Sequence, residues 1–223
     1  MKKIVLILIL MQQNITYSQN NLNGDWANLN KYQTENQATT PSSNNIVFMG
    51  DSITEFWKVN DSSFFSENPF INRGISGQTT SQMLHRFPQD VINLKPSTVV
   101  ILAGINDIAE NSGPITLNEI LENIKAMVAL TNENHIKVIL CSVLPANKFN
   151  WNPKIKPADK VIELNQMIEN YAIQSKITYV NYYSAMVDDN KGLQLQYGED
   201  GVHPNLEGYK VMEEILLPYL KIE

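Results

Sequence analysis

Ser52 follows an aliphatic run, Ile46–Met49, and a Gly50-Asp51 turn, and it opens a helical pattern. A serine placed there exposes its hydroxyl in the positive field of a helix N-terminus. The same position also suits an ordinary capping serine. Far along the chain, Asp200-Gly201-Val202-His203 sets a carboxylate three residues before an imidazole, in a tight turn closed by Pro204. That spacing lets Asp200 reach the Nδ1–H of His203 and leaves Nε2 free to take a proton from a hydroxyl. Asn106, in Gly104-Ile105-Asn106-Asp107, offers a side-chain amide that can donate to a developing oxyanion, and Gly77 lies in a glycine turn whose N–H can do the same. Taken singly, each has a structural reading: a cap, a loop hydrogen bond, a turn asparagine, a left-handed glycine. Together they supply a nucleophile, a base, an orienting acid and oxyanion donors, the components of acyl transfer.

The elements that must position these residues follow from the hydrophobic pattern. Five apolar runs read as strands: Ile46–Met49, Pro69–Asn72, Thr98–Ala103, Ile136–Val143 and Ile177–Tyr182. Amphipathic helical patterns lie between and after them, at 79–94, 116–133, 157–175 and about 205–217. Near-continuous apolar strands alternating with such helices predict one α/β domain, a parallel sheet covered on both faces. In open parallel sheets, ligands bind beyond the carboxyl ends of the strands. Ser52, Gly77 and Asn106 each follow a strand end, and Asp200 and His203 precede the last helix, so all are expected in one crevice.

Other chemistry finds little support. Gly74-Ile75-Ser76-Gly77 narrowly misses the Gly-x-Ser-x-Gly elbow, because Gln78 stands where the second glycine belongs. No dinucleotide or Walker-type glycine loop and no His-Glu-x-x-His is present, so neither a nucleotide cofactor nor a metal is expected. His85 and His135 are isolated, and Cys141 sits inside an aliphatic strand as a core residue. With 17 Lys and Arg against 23 Asp and Glu, a net charge of -6, the chain is not expected to bind nucleic acid. Asp51 and Asp107 could be ligands, but read more simply as cap and turn carboxylates beside the active residues.

The four blocks resemble the SGNH hydrolases, also called GDSL-type esterases and lipases, over about residues 45–218. Gly50-Asp51-Ser52-Ile53 resembles the nucleophile block, Gly77 the glycine block, Gly104-Ile105-Asn106-Asp107 the Gly-x-Asn-Asp block, and Asp200-Gly201-Val202-His203 the Asp-x-x-His block. Ser142-Val143-Leu144-Pro145 and Phe149-Asn150-Trp151 are similar to exported bacterial members near the platelet-activating-factor acetylhydrolase subunits. The resemblance implies a flavodoxin-like three-layer α/β/α sandwich with strand order 2-1-3-4-5. It implies Ser52 as nucleophile, His203 as general base and then acid, and Asp200 as its orienting partner. It further implies an oxyanion hole made of the N–H groups of Ser52 and Gly77 and the amide of Asn106, with no cofactor.

Domain organisation and substrate are expectations of a different kind. Met1-Lys2-Lys3 and the apolar run Ile4–Met11 read as a cleaved export signal over 1–18, too short to span a bilayer. With no cysteine after the run, no stable membrane anchor is expected. Residues 19–45 form a polar segment in which Asp25–Tyr32 carries apolar residues at helical spacing, a short docking helix, and 46–223 form the hydrolase domain. An exported esterase acting on small, acetyl-type esters, with carbohydrate as the alcohol, is expected. Asp51, Phe149 and Trp151 are expected to line its substrate site, and Trp57 also lies near the crevice as a sugar platform or as packing. A lysophospholipase or thioesterase acting on longer chains, and a non-catalytic carbohydrate-binding module, are the alternatives.

Overall fold

The computed structural model describes residues 24–220. The expected export signal at 1–18, and residues 19–23 of the polar segment, lie outside the described residues. Five parallel strands form one sheet: β1 (Ile46–Gly50), β2 (Phe70–Gly74), β3 (Thr98–Leu102), β4 (Lys137–Cys141) and β5 (Thr178–Val180). Their order is β2-β1-β3-β4-β5, the topology that the resemblance implies. Every residue of β1 and β3 is buried, as an apolar strand between two helical layers requires.

Among the described residues the α-helices are α1 (Gln33–Ala38), α2 (Ser52–Asn60), α3 (Ser62–Ser66), α4 (Thr80–Asp90), α5 (Ile105–Ile108), α6 (Leu117–Glu133), α7 (Ala158–Ser175), α8 (Tyr183–Met186) and α9 (Leu206–Leu216). The neighbours α2, α3 and α9 pack together, as do α4, α6 and α7. Under α2 and α3, Phe48 of β1 meets Trp57, Phe64, Phe65 and Phe70 at ring-centroid distances of 5.1–5.9 Å. Helix α6 starts on a capping box: Thr116 Oγ1 accepts from the Glu119 N–H, and the Glu119 carboxylate accepts from the Thr116 N–H.

The pattern at 79–94 is one helix only to Asp90, followed by a 3₁₀ turn over Ile92–Leu94. Pro88, with no N–H for the ladder, lies in its last turn. The docking helix is displaced from its expected place. Residues 24–32 form turns, with Asn28 in the left-handed region at φ 56°, and the helix begins only at Gln33. Docking itself occurs, through the buried Ala27 and Tyr32.

Register brings the chemistry to one level. Gly50 of β1 stands opposite Gly74 of β2 and Leu102 of β3. The three connections that leave these ends lead to Ser52 at the start of α2, to Gly77 and to Asn106 in α5. Buried Arg86 of α4 ties two of those ends together by donating to the carbonyls of Gly50 at 3.0 Å and Arg73 at 2.8 Å.

Candidate active site

Ser52 is the first residue of α2, so its N–H has no carbonyl one turn behind it. The strand-to-helix turn demands glycine at position 50: an added Cβ would lie 2.1 Å from Thr54 Oγ1 and 2.8 Å from the Leu102 carbonyl. Asp51 is the N-cap, accepting from the Ile53 N–H at 2.9 Å. Its other oxygen is buried without a partner among the described residues. Burial pushes this carboxyl up to about 7, against the Ile53 N–H and nearby His203, both of which lower it.

The hydroxyl of Ser52 lies 2.8 Å from His203 Nε2, and His203 Nδ1 lies 2.7 Å from Asp200 Oδ2. The other Asp200 oxygen accepts from the N–H groups of Val202 and His203, each at 2.8 Å. The turn needs Gly201 at φ 83° to wrap the backbone round that carboxylate. Burial works to raise Asp200, but the hydrogen bonds and charge of His203 outweigh it and hold the carboxyl below its usual range. An ionised Asp200 fixes the imidazole with Nε2 towards the serine, the arrangement that turns a hydroxyl into a nucleophile.

Gly77 sits at φ 78° in the turn after β2, and an added Cβ would meet nothing among the described residues within 4 Å. Backbone conformation, and not crowding, therefore calls for glycine there. Asn106, in α5, is buried and donates from Nδ2 to the Gln78 carbonyl at 3.1 Å. The glycine turn and Asn106 thus face each other across one hydrogen bond. Asp107 is structural: it accepts from the N–H and hydroxyl of Thr80 at the start of α4, and burial raises it to about 6.

The polar segment is bonded to this glycine turn, which its composition did not announce. Tyr32 donates its hydroxyl to the Gly74 carbonyl, and Gln78 Nε2 donates to the Ala27 carbonyl at 2.6 Å. Glu55 of α2 accepts from the Ser76 N–H at 2.7 Å and from Lys31 at 2.8 Å. Gln78, Glu55, Tyr32 and Arg86 are supports that sequence reasoning missed, because no local pattern marks a partner so distant in the chain.

The expected substrate-lining residues divide. Trp151 is 49% exposed, on a loop tied to both halves of the site: Asn150 donates to the Asp200 carbonyl at 3.1 Å and Asn152 to the Ala109 carbonyl at 3.2 Å. Phe149 is fully buried beneath Trp151, rings 4.9 Å apart, and presents no surface to a substrate. Asp51 is likewise buried as a cap. Trp57 is core, stacked between Phe64 and Tyr209 with its N–H on Glu213 at 3.0 Å. Cys141 is buried as expected, and burial pushes its thiol up to about 12. His135 is exposed in the loop after α6, while the His85 ring packs at a tilt against Trp26, centroids 5.2 Å apart.

Residues 48–211 match the model of the GDSL-like lipase/acylhydrolase family. The chain belongs to that family. A solved GDSL-like lipase from Bacteroides thetaiotaomicron is 49% identical, with a TM-score of 0.85 over 86% of this chain and 97% of its own. An acetylxylan esterase from Xylanibacter ruminicola is 28% identical over 67% of this chain. The match spans only 35% of that protein's length. An isoamyl acetate-hydrolyzing esterase from Saccharomyces cerevisiae is 26% identical over 79% of this chain and 85% of its own. As a GDSL-like hydrolase, the protein is a carboxylic ester hydrolase.

Proposed function

We propose that this hydrolase is an exported serine esterase that removes short acyl groups, chiefly acetyl, from carbohydrate. Ser52 attacks the ester carbonyl while His203 takes its proton, and Asp200 stabilises the imidazolium that forms. The N–H groups of Ser52 and Gly77 and the amide of Asn106 hold the tetrahedral oxyanion. One such donor is typically worth about 3 kcal/mol. His203 then gives its proton to the leaving alcohol and activates the water that releases the acyl group from Ser52. The observation that carries this reading is the unbroken run from Ser52 Oγ through His203 to Asp200, at 2.8 and 2.7 Å. An intact run of this kind is not expected of a non-catalytic sugar-binding module.

Three features support the substrate class. Among the relatives are two acetylxylan esterases and an isoamyl acetate-hydrolyzing esterase. Trp151 offers an exposed aromatic face, suited to a sugar ring, beside the site. The basic start and apolar run of residues 1–11 suit delivery to polymers outside the cytoplasm.

The test uses purified protein with p-nitrophenyl acetate and p-nitrophenyl decanoate, then acetylated xylan, with folded Ser52→Ala as the control. A higher kcat/KM for acetate and acetate release from xylan are expected, with Ser52→Ala slower by several orders of magnitude. Higher kcat/KM for decanoate would move the reading to a lysophospholipase or thioesterase. Near-wild-type activity of Ser52→Ala would remove the mechanism. N-terminal sequencing of secreted protein should begin near Gln19, and an intact Met1 would refute the cleaved signal.

A further inference from the structure

A side-chain amide has two ends of nearly the same shape, and only the nitrogen end donates. If Asn106 were turned over, it would present its oxygen to the developing oxyanion and repel it. An asparagine in this role therefore needs something to set its polarity. Taking Asn106 as an oxyanion donor, as in the function proposed above, we propose that Asn111 and Trp151 are the positioning pair that sets the polarity of its amide.

The chain of contacts has one consistent direction. Trp151 Nε1 donates to Asn111 Oδ1 at 3.2 Å, and Asn111 Nδ2 donates to Asn106 Oδ1 at 2.8 Å. Asn106 Nδ2 then donates to the Gln78 carbonyl at 3.1 Å, which leaves its second N–H for the site. The indole N–H has no acceptor capacity. Asn111 must therefore turn its oxygen towards Trp151 and its nitrogen towards Asn106. Asn106 must in turn point its oxygen at Asn111 and its nitrogen the other way. The carbonyl of Gly77, an acceptor only, reinforces this by lying 3.3 Å from Asn111 Nδ2.

The same contacts give Trp151 two separable roles. Its face is exposed for a sugar ring, while its edge holds the amide relay. The loop that carries it is anchored to Asp200 and Ala109 through Asn150 and Asn152, so the edge is held in place. Trp151→Phe keeps an aromatic face and removes the N–H. Asn111→Asp replaces the donor facing Asn106 with an acceptor, so Asn106 either keeps its oxygen against a carboxylate or turns its nitrogen away from the oxyanion and gives up its bond to the Gln78 carbonyl.

The experiment measures kcat and KM on p-nitrophenyl acetate, a substrate with no sugar, alongside melting temperature. Asn111→Asp should lower kcat by about 10²–10³, the size of a lost oxyanion donor, with KM within twofold. Trp151→Phe should lower kcat about 3- to 10-fold, again with KM within twofold, since the indole N–H acts only through two neutral hydrogen bonds. Should Asn111→Asp fail to fold, Trp151→Phe and Asn111→Ala decide. Wild-type kcat in the folded variants, or a loss expressed only in KM, would overturn the relay. Asn106→Ala and Ser52→Ala separate the two readings. If they abolish turnover while Asn111→Asp does not, only the relay fails. If they do not, the proposed mechanism fails with it.

Discussion

Replacing Gln78 by alanine should destabilise the whole domain and slow the enzyme, although Gln78 touches no substrate. Its side chain is buried between two partners. Its oxygen accepts from Nε of the fully buried Arg86, and its nitrogen donates to the Ala27 carbonyl at 2.6 Å. Losing a buried hydrogen bond to a charged group costs about 1.5–3 kcal/mol, and losing a neutral one about 0.5–1.5 kcal/mol. The expected total is about 3 kcal/mol. For a domain of this size each kcal/mol moves Tm by about 2–4 °C, so Tm should fall by roughly 6–12 °C. The backbone of Gln78 adjoins Gly77 and accepts the Asn106 amide, so kcat on p-nitrophenyl acetate should fall more than KM rises. Gln78→Glu keeps an acceptor for Arg86 but sets a carboxylate oxygen against the Ala27 carbonyl, acceptor facing acceptor, so its Tm should fall as well. Thermal unfolding followed by circular dichroism reads both variants. A Tm for Gln78→Ala within 2 °C of wild type would refute the reasoning, since the two buried bonds would then contribute nothing.

Asp200→Asn should lower kcat by several orders of magnitude, because the amide no longer stabilises the imidazolium or selects its tautomer; stopped assays on the folded variant check this, and unchanged kcat would refute it. Asp51 makes stability depend on pH. Its carboxyl ionises at about 7 when folded and near 3.8 when unfolded, so the folded chain holds the extra proton between those values. Stability from this group is therefore full below about pH 4 and falls as pH rises through 7, by about 4 kcal/mol. Asp107, raised to about 6, adds a loss of the same sign. In Asp51→Asn the larger share of that loss should vanish, and urea unfolding at pH 4.5 and 7.5 that shows equal losses in both proteins would refute it.

Much of this protein was written locally in its sequence. Aliphatic runs such as Thr98–Leu102 are strands because they are buried on both faces, and the helix over Leu117–Glu133 declares itself through its apolar stripe. Asp200 and His203 lie three residues apart, so one glycine-containing turn brings carboxylate to imidazole. Strand ends collect the rest, because a parallel sheet puts every βα loop on one edge. Tertiary structure decided what depends on partners far along the chain. Trp57 and Trp151 are the same residue type near the same crevice. One is sealed by Phe64 and Tyr209, whereas the other stands over the site on a loop. Phe149 beneath Trp151, Asn111 behind Asn106 and Ala27 against Gln78 follow the same logic. A periodic pattern reports which face of an element is buried, but the neighbour that buries an irregular loop residue comes from elsewhere in the chain, and only folding brings it there.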